Sequence, residues 1–271
     1  MVKIVFTSVS WKWLTTIISV PLIVIHWMSV KSNNKIRGLL RPIPRPRFLS
    51  KTHHAFRLSK ISEEFASKEL KRIKSCKSTG LADVPARLLK DSFGVIAKPL
   101  TVLMNRTLAE GSIPSDWKHA IVTPVHKSDS KTDPANYRPI SVLPVFSKIL
   151  ERAVHRVVYA YLQQHKLLSV HQSGFRALHS TSICLADVTN PCSITSIRDS
   201  WLVFLDLTKA FDTLDHSVLR DKLTSLVFSK SSVQWFDAYL TGRTQSVIVN
   251  GAAADPGGWI GWLATPIFGV A

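Results

Sequence analysis

The stretch WLVFLDLTKAFDTLDH, from Trp201 to His216, decides how the rest of this chain is interpreted. Its first seven residues form an apolar run that predicts a buried strand, and Asp206 is the one charged residue in that run. A carboxylate is costly to bury unless it meets a cation. Phe211 follows five residues later, and apolar spacing from Asp215 to Leu226 predicts a helix. A lone strand acid is most often structural, so neighbouring motifs must decide its role.

The thirteen residues FLDLTKAFDTLDH resemble the first palm motif of reverse transcriptases encoded by non-LTR, LINE-type retrotransposons of the jockey and CR1-like groups. By this resemblance, Asp206 is a catalytic residue that binds Mg²⁺, and the backbone carbonyl of Leu207 is a second ligand. The resemblance also implies that Phe211 lies under the sugar of the incoming nucleotide and rejects a ribose 2′-hydroxyl.

Two cations are candidates for nucleotide binding. The hexapeptide NYRPIS resembles the second fingers motif of the same enzymes, which implies that its Arg138 binds the triphosphate of the incoming nucleotide. Arginine suits this role because its planar fork forms paired, charge-assisted hydrogen bonds with phosphate oxygens. The stretch GSIPSDWKHAIVTPVHK resembles a loop and a fingers strand of the same family, and the resemblance implies that Lys127, at the end of that strand, lies near nucleotide or template phosphates. In the alternative interpretation, this strand contributes only core residues such as Trp117 and Val122.

A third block, QSGFRALHST, resembles the Q-S-G-F-R motif of these enzymes. The resemblance implies that Gln172, Arg176 and Ser180 contact the template or the nucleotide. Gly174 is expected to permit a turn. Several separately spaced blocks match the family in the same order, which a chance likeness of one short motif does not explain.

Periodicity and capping signals predict further helices and one hairpin strand. We expect a helix to start at Ser62, another with Pro85 in its first position, a third ending at Gly111, and later elements at Val145–His165, Val233–Arg243 and, as the strand, Gln245–Gly251.

The predicted fold class is α/β (α+β), a partial polymerase right hand made of fingers and the first part of the palm. Its helices are expected around a small, largely antiparallel sheet that has an exposed edge. Three segments are predicted: residues 1–60 as a hydrophobic and then basic, Pro/Arg-rich flank, 61–251 as a partial reverse transcriptase domain, and 252–271 as a divergent tail.

The charge of the chain favours a polyanionic partner. Its 35 Lys and Arg against 18 Asp and Glu give +17, and residues 1–62 hold eleven of these bases with no acid. Three cysteines without CxxC spacing support neither a disulfide framework nor a zinc site. An intracellular setting follows, and the resemblance implies the nucleus or cytoplasm.

Residues 13–30, WLTTIISVPLIVIHWMSV, form an uncharged run at the lower length limit of a membrane-spanning helix. Pro21 and His26 interrupt it. Two interpretations stay open at this point: a membrane anchor or uncleaved signal, and a translated flank that never inserts.

The resemblance implies RNA-templated DNA synthesis from dNTPs, with an RNA template, a DNA primer and two-metal phosphoryl transfer. Asp206 alone cannot hold two metal ions, and no second acidic motif follows Gly251 in these residues. We therefore expect that this chain alone does not polymerise, and that Asp206 and Arg138 share one cleft. The alternatives are a non-catalytic basic nucleic-acid-binding remnant and a small membrane-anchored protein. Oligomeric state stays open.

Overall fold

The structure is a computed structural model that describes residues 53–74, 84–127, 129–133, 136–169, 172–186, 215–249 and 252–253. The apolar run 13–30 and the motif residues Asp206, Leu207 and Phe211 lie outside the described residues. No helix within the described ranges is long and apolar enough to cross a bilayer.

The helices follow the predicted periodicity. They are α1 (Glu63–Lys71), α2 (Ala86–Asp91), α3 (Phe93–Glu110), α4 (Ser115–Lys118), α5 (Val145–Gln164), α6 (His216–Ser225) and α7 (Lys230–Leu240). Residues 181–186 are also helical. The prediction for α7 was three residues too late at both ends, because Ser229 caps the helix by accepting a hydrogen bond from the N–H of Ser232.

Polar caps fix several helix ends where the sequence placed them. Ser62 accepts a hydrogen bond at 3.2 Å from the N–H three residues on, and Asp215 accepts one at 2.8 Å from the N–H of Ser217. Gly111 ends α3 in the left-handed region with φ of 65°, a conformation that glycine adopts without steric cost. Pro85 is the N-cap of α2, so its predicted place as the first helical residue was one position wrong.

Four strands form one sheet in the order β2-β1-β3-β4. They are β1 (His119–His126), β2 (Tyr137–Val142), β3 (Thr244–Val249) and β4 (Ala252–Ala253). The pairs β1–β2 and β3–β4 are antiparallel, whereas β1–β3 is parallel. The predicted α/β class and largely antiparallel sheet are therefore confirmed, with one parallel pairing in the middle.

Two prolines limit this sheet. The N–H of Lys127 donates to the carbonyl of Asn136 at 2.8 Å, so these two residues are a hydrogen-bonded pair. Hydrogen-bonded and non-hydrogen-bonded pairs alternate along an antiparallel ladder, so the opposed pair Pro124 and Pro139, three positions away, forms no mutual hydrogen bonds. The nitrogen of Pro124 therefore faces β3, and the parallel pairing ends before it, at Val122. The nitrogen of Pro139 faces away from β1, on the side of β2 that forms the edge of the sheet within the described residues, and it offers no donor to another strand there.

Helices build the main core. On α7, Trp235, Phe236 and Tyr239 are each 1% exposed, and they belong to one apolar cluster with residues of α1, α3, α5 and α6. These side chains recur at helical spacing, so one face of α7 is fully covered. The sheet lies to one side of this cluster and is joined to α5 through α4, where Trp117 approaches Phe146.

The segment before α1 is part of the core. Phe56 is 4% exposed, and its backbone bonds to the carbonyl of Val227 and the N–H of Ser229 at 2.9 and 2.8 Å. The hydroxyl of Tyr161 lies 2.7 and 2.8 Å from the carbonyl oxygens of His54 and Leu226. These contacts extend the folded part to His54, before the predicted boundary at residue 61.

Candidate nucleotide and template site

The hairpin of β1 and β2 carries both predicted nucleotide-binding cations. Its register sets Arg138 opposite Val125, and the Lys127–Asn136 backbone bond continues the same ladder by two residues. Directly opposed residues of an antiparallel pair project from the same face, and so do residues two apart on one strand. The side chains of Lys127 and Arg138 therefore lie on one face of the hairpin, which we call the open face.

The two faces of the hairpin differ in exposure. Ala120, Val122 and Ser141 on the opposite face are buried, which confirms the core role predicted for Val122. On the open face, Lys127 and Arg138 are exposed and Val125 is 42% exposed. Two cations and an uncovered apolar side chain suit a ligand that has phosphates and a flat apolar part.

Hydrogen bonds hold the tip of the hairpin. The hydroxyl of Tyr137 donates to the carbonyl of Lys131 at 2.8 Å, and the amide of Asn136 donates to the carbonyl of Ser130 at 3.0 Å. The ring of His126 lies 3.1 Å from the carbonyl oxygen of Asp129. The polar groups of these side chains therefore form hydrogen bonds within the loop. Neither Lys127 nor Arg138 forms a salt bridge with an acid of the described residues.

The three predicted template residues lie together in the loop that follows α5. The guanidinium of Arg176 donates to the backbone carbonyls of Ser169 at 3.0 Å and Gln172 at 3.3 Å. The side-chain amide of Gln172 donates to the carbonyl of Gly174 at 3.0 Å. Both side chains therefore fix the loop itself, and Arg176 keeps only its remaining N–H groups for a ligand.

The rest of this loop is also anchored. Ser180 accepts a hydrogen bond from the N–H three residues on at 3.2 Å and so caps helical residues 181–186. The hydroxyl of Tyr159 on α5 accepts one from the N–H of Ala177 at 3.3 Å. The turn expected at Gly174 is present, with its strained position at Phe175, where φ is 59°. A template contact would thus meet a preformed loop.

A polar cluster that the sequence did not reveal joins α5 to α7 and to the residue before β3. The hydroxyl of Tyr239 donates to the carboxylate of Glu151, and Arg243 donates to the carbonyl of Tyr239 at 3.1 Å. Burial raises the pKa of Glu151, and burial with the Glu151 charge raises the pKa of Tyr239 well above its usual value. The available signal was the i, i+4 spacing of Tyr239 and Arg243, which both lie in the predicted helix Val233–Arg243.

Magnesium has no complete ligand set within the described ranges, which contain no group of three or more His, Cys, Asp or Glu side chains arranged for a metal ion. The proposed ligands Asp206 and the Leu207 carbonyl offer oxygen, the donor that this hard cation prefers. Asp215 is the N-cap of α6, where its carboxylate accepts hydrogen bonds from the N–H groups of Ser217 and Val218.

Comparison with known proteins decides the family. A profile described as "Reverse transcriptase (RNA-dependent DNA polymerase)" matches residues 125–266, more than half of the chain. The chain belongs to the reverse transcriptase family. The matched span contains both groups of predicted site residues and continues past residue 251, the predicted end of the domain.

Curated relatives agree with this family. The chain is 32% identical over 155 residues to "RNA-directed DNA polymerase from mobile element jockey" of Drosophila melanogaster, covering 56% of this chain and 17% of that protein. It is 33% identical over 129 residues to "Probable RNA-directed DNA polymerase from transposon X-element" of the same fly, with coverage of 46% and 14%. For "Probable RNA-directed DNA polymerase from transposon BS", also from that fly, identity is 29% over 204 residues, with coverage of 74% and 22%.

The predicted likeness to reverse transcriptases of LINE-type retrotransposons is therefore confirmed. The aligned part of this reverse transcriptase chain spans between 14% and 22% of the length of these three relatives.

Proposed function

We propose that this chain supplies the nucleotide- and template-binding part of an enzyme that copies RNA into DNA. Family membership supports the reaction class. The observation that carries the site is the hairpin register, which sets Lys127 and Arg138 on one exposed face.

In this proposal, Arg138 and Lys127 bind phosphate oxygens of the incoming dNTP through charge-assisted hydrogen bonds. Asp206 and the carbonyl of Leu207 would hold Mg²⁺, which stabilises the negative charge that develops on the transferred phosphoryl group. Phe211 would exclude a ribose 2′-hydroxyl by steric contact. Gln172, Arg176 and Ser180 would present their loop to the RNA template.

Equilibrium binding of a dNTP in the presence of Mg²⁺ tests whether Arg138 on the open face binds the nucleotide. Hydrogen bonds to charged groups contribute about 1.5–3 kcal/mol, so Arg138→Gln should weaken binding by about 10- to 100-fold. Arg87→Gln is the matched control, because Arg87 is an exposed cation of α2 that makes only a 3.7 Å contact with Asp91. Unchanged dNTP affinity in Arg138→Gln would overturn the assigned role.

We also propose that these 271 residues alone do not extend a primer, because a single motif acid cannot hold two catalytic metal ions. The assay is primer extension on an RNA template with the purified chain and with Asp206→Ala. Extension by the chain that disappears in Asp206→Ala would show that this part of the proposal is wrong.

The second candidate function is a basic nucleic-acid-binding protein without catalysis. The net charge of +17 favours it. RNA binding that weakens steeply with salt, together with no measurable dNTP binding, would support this function over the first.

A further inference from the structure

Leu178 lies at the tip of the loop that follows α5, and it is 96% exposed. The N–H of His179 donates to the carbonyl of Arg176 at 3.4 Å, so residues 176–179 form a β-turn with Leu178 in its third position. The φ of Leu178 is 64°, in the left-handed region. Glycine and asparagine favour this position, because a larger side chain is strained there. Leucine is therefore a poor residue for the turn itself.

Packing does not explain the leucine either. Phe175 has a similar φ of 59°, but its side chain is partly buried, so contacts within the protein accompany its strain. Leu178 gains no such burial, and its apolar surface is left in water. A single exposed apolar residue is ordinary on a protein surface, whereas one that is also held in a strained conformation is not. Strain of this kind clusters at sites that bind ligands.

The turn is held in place by its neighbours. The hydroxyl of Tyr159 on α5 accepts a hydrogen bond from the N–H of Ala177 at 3.3 Å. The guanidinium of Arg176 donates to two backbone carbonyls of the same loop, at 3.0 and 3.3 Å. Leu178 is thus presented by a preformed loop, which reduces the conformational entropy lost when a ligand contacts it.

Two buried polar atoms of the same loop lack hydrogen-bond partners among the described residues. They are the side-chain oxygen Oε1 of Gln172 and the ring nitrogen Nδ1 of His179. A buried polar atom without a partner costs free energy, as does the strain at Leu178. The loop is therefore not optimised for the stability of the chain alone, which is typical of a segment that serves binding.

The charge around Leu178 favours a polyanion as the ligand. Arg176 lies in the same turn and keeps N–H groups that the loop does not use. It forms no salt bridge with an acid of the described residues. The sequence has no acidic residue between Glu151 and Asp187. A nucleic acid strand combines phosphates, which arginine binds, with bases that have apolar faces.

We propose that Leu178 is a positioning residue that contacts a nucleobase of the RNA template, while Arg176 binds an adjoining phosphate. The identity of RNA as ligand rests on the proposed function. The ends of a β-turn lie within about 7 Å of each other, so the apolar and the charged group are close enough for a base and a phosphate of neighbouring nucleotides. Single-stranded RNA exposes its bases to such contacts, and leucine is among the apolar side chains that insert between bases.

The test is equilibrium binding of a single-stranded oligouridylate by the whole chain and by Leu178→Ala. Burial of roughly half a leucine side chain corresponds to about a 5- to 10-fold change in affinity, which is the loss expected in the variant. The slope of log K against log salt should stay unchanged, because no charge is removed. Leu88→Ala is the matched control, since Leu88 is a 56% exposed leucine of α2. Equal affinity of the parent and Leu178→Ala, or an equal loss in Leu88→Ala, would overturn the proposal.

An abasic oligomer of the same length separates the bases from the phosphates. We expect Leu178→Ala to bind this oligomer as tightly as the parent chain does. A loss of similar size for the abasic oligomer and for oligouridylate would mean that the substitution disturbs phosphate contacts through the loop, and the base contact would be refuted.

Leu178→Gly should change stability and binding in opposite directions. Glycine relieves the strained backbone, so the melting temperature should rise by about 2–4 °C, whereas oligouridylate binding should weaken as in Leu178→Ala. Damage to the fold does not produce this combination. A lower melting temperature in Leu178→Gly would show that the leucine stabilises the chain, and would overturn the proposal.

Failure of this inference differs from failure of the proposed function. RNA binding by the parent chain that Leu178→Ala leaves unchanged would overturn the role of Leu178 alone. Self-association of the parent chain that Leu178→Ala abolishes, again with unchanged RNA affinity, would assign the residue to a contact between two copies. Absence of any RNA binding by the parent chain would overturn the template function as well.

Discussion

The helical core and the open face of the hairpin use their residues in opposite ways. On α7, three aromatic side chains are 1% exposed each and contact other core residues. On the open face, Val125 is 42% exposed beside the cations Lys127 and Arg138. Stability is therefore concentrated in the helices, and the sheet offers uncovered side chains for binding.

Polar groups also form different kinds of contact in the helical core and on the hairpin. In the helical core they connect elements, as when Glu69 of α1 bonds to Arg152 of α5 and the hydroxyl of Tyr161 joins two distant carbonyls. On the hairpin, side chains at the tip donate hydrogen bonds to backbone carbonyls of the same loop. The side chains of Lys127 and Arg138 are exposed to solvent. Substitutions in the two regions should consequently change different measured quantities.

The largest loss of stability is expected for Trp235→Ala. Removing a fully buried indole costs about 3–5 kcal/mol in the free energy of unfolding, which urea denaturation measures. Val95→Ala on α3 is the control, because Val95 is 80% exposed and should change stability by less than about 0.5 kcal/mol. Similar losses in the two variants would remove the distinction between core and surface.

Tyr161→Phe should cost about 1–3 kcal/mol, because the ring stays while two carbonyl oxygens lose their shared donor. Hydrogen exchange gives the sharper measurement: the amide of Phe56 should exchange faster than in the parent chain, since the segment before α1 is less firmly held. Protection of that amide at the parent level would show that the hydroxyl does not hold this segment.

Ser62→Ala removes the N-cap of α1 and should cost about 1 kcal/mol. Ser112→Ala, which removes an exposed hydroxyl outside any helix cap, is the control measured in the same thermal unfolding series. The expected order fails if the control loses as much stability as the cap variant.

The pH dependence of the free energy of unfolding should report on the carboxyl group of Glu151 and not on the exposed cations of the hairpin. Burial raises the folded-state pKa of Glu151, so the folded chain binds this proton more tightly than the unfolded chain. Stability from this group is present at low pH and falls as pH rises from the ordinary carboxyl range through the raised pKa. Glu151→Gln should flatten that part of the profile measured by urea unfolding, and an unchanged profile would assign the dependence to another group.

The smallest change in stability is expected for Arg138→Gln. Its side chain is exposed and forms no ion pair with the described acids, so the free energy of unfolding should change by less than about 0.5 kcal/mol. A loss above 1 kcal/mol in urea denaturation would mean that the hairpin cation has a structural role.

Local signals in the sequence predicted most of the helices and the strand β3. Ser62, Gly111 and Asp215 each mark a helix end through chemistry that acts within a few residues. Resemblance to a family, rather than periodicity, supplied the site residues. Ser229 could have corrected the start of α7, since its hydroxyl is the cap that the pattern of apolar residues does not show.

Long-range contacts were the part that the sequence did not reveal. The parallel pairing of β1 with β3 joins segments 125 residues apart, and no local pattern indicates it. The same holds for Lys118 beside Arg243, and for Phe56 beside Phe228. Arg176 was predicted to contact template, yet only coordinates show that its guanidinium also holds its own loop.

Paramagnetic broadening by Mn²⁺ tests most directly whether the strand acid and the hairpin cations serve one nucleotide site. With a dNTP present, we expect Mn²⁺ to broaden the backbone NMR signals of Lys127 and Arg138 in the parent chain and to leave them sharp in Asp206→Asn. Sharp hairpin signals in the parent chain, or equal broadening in Asp206→Asn, would contradict a shared cleft.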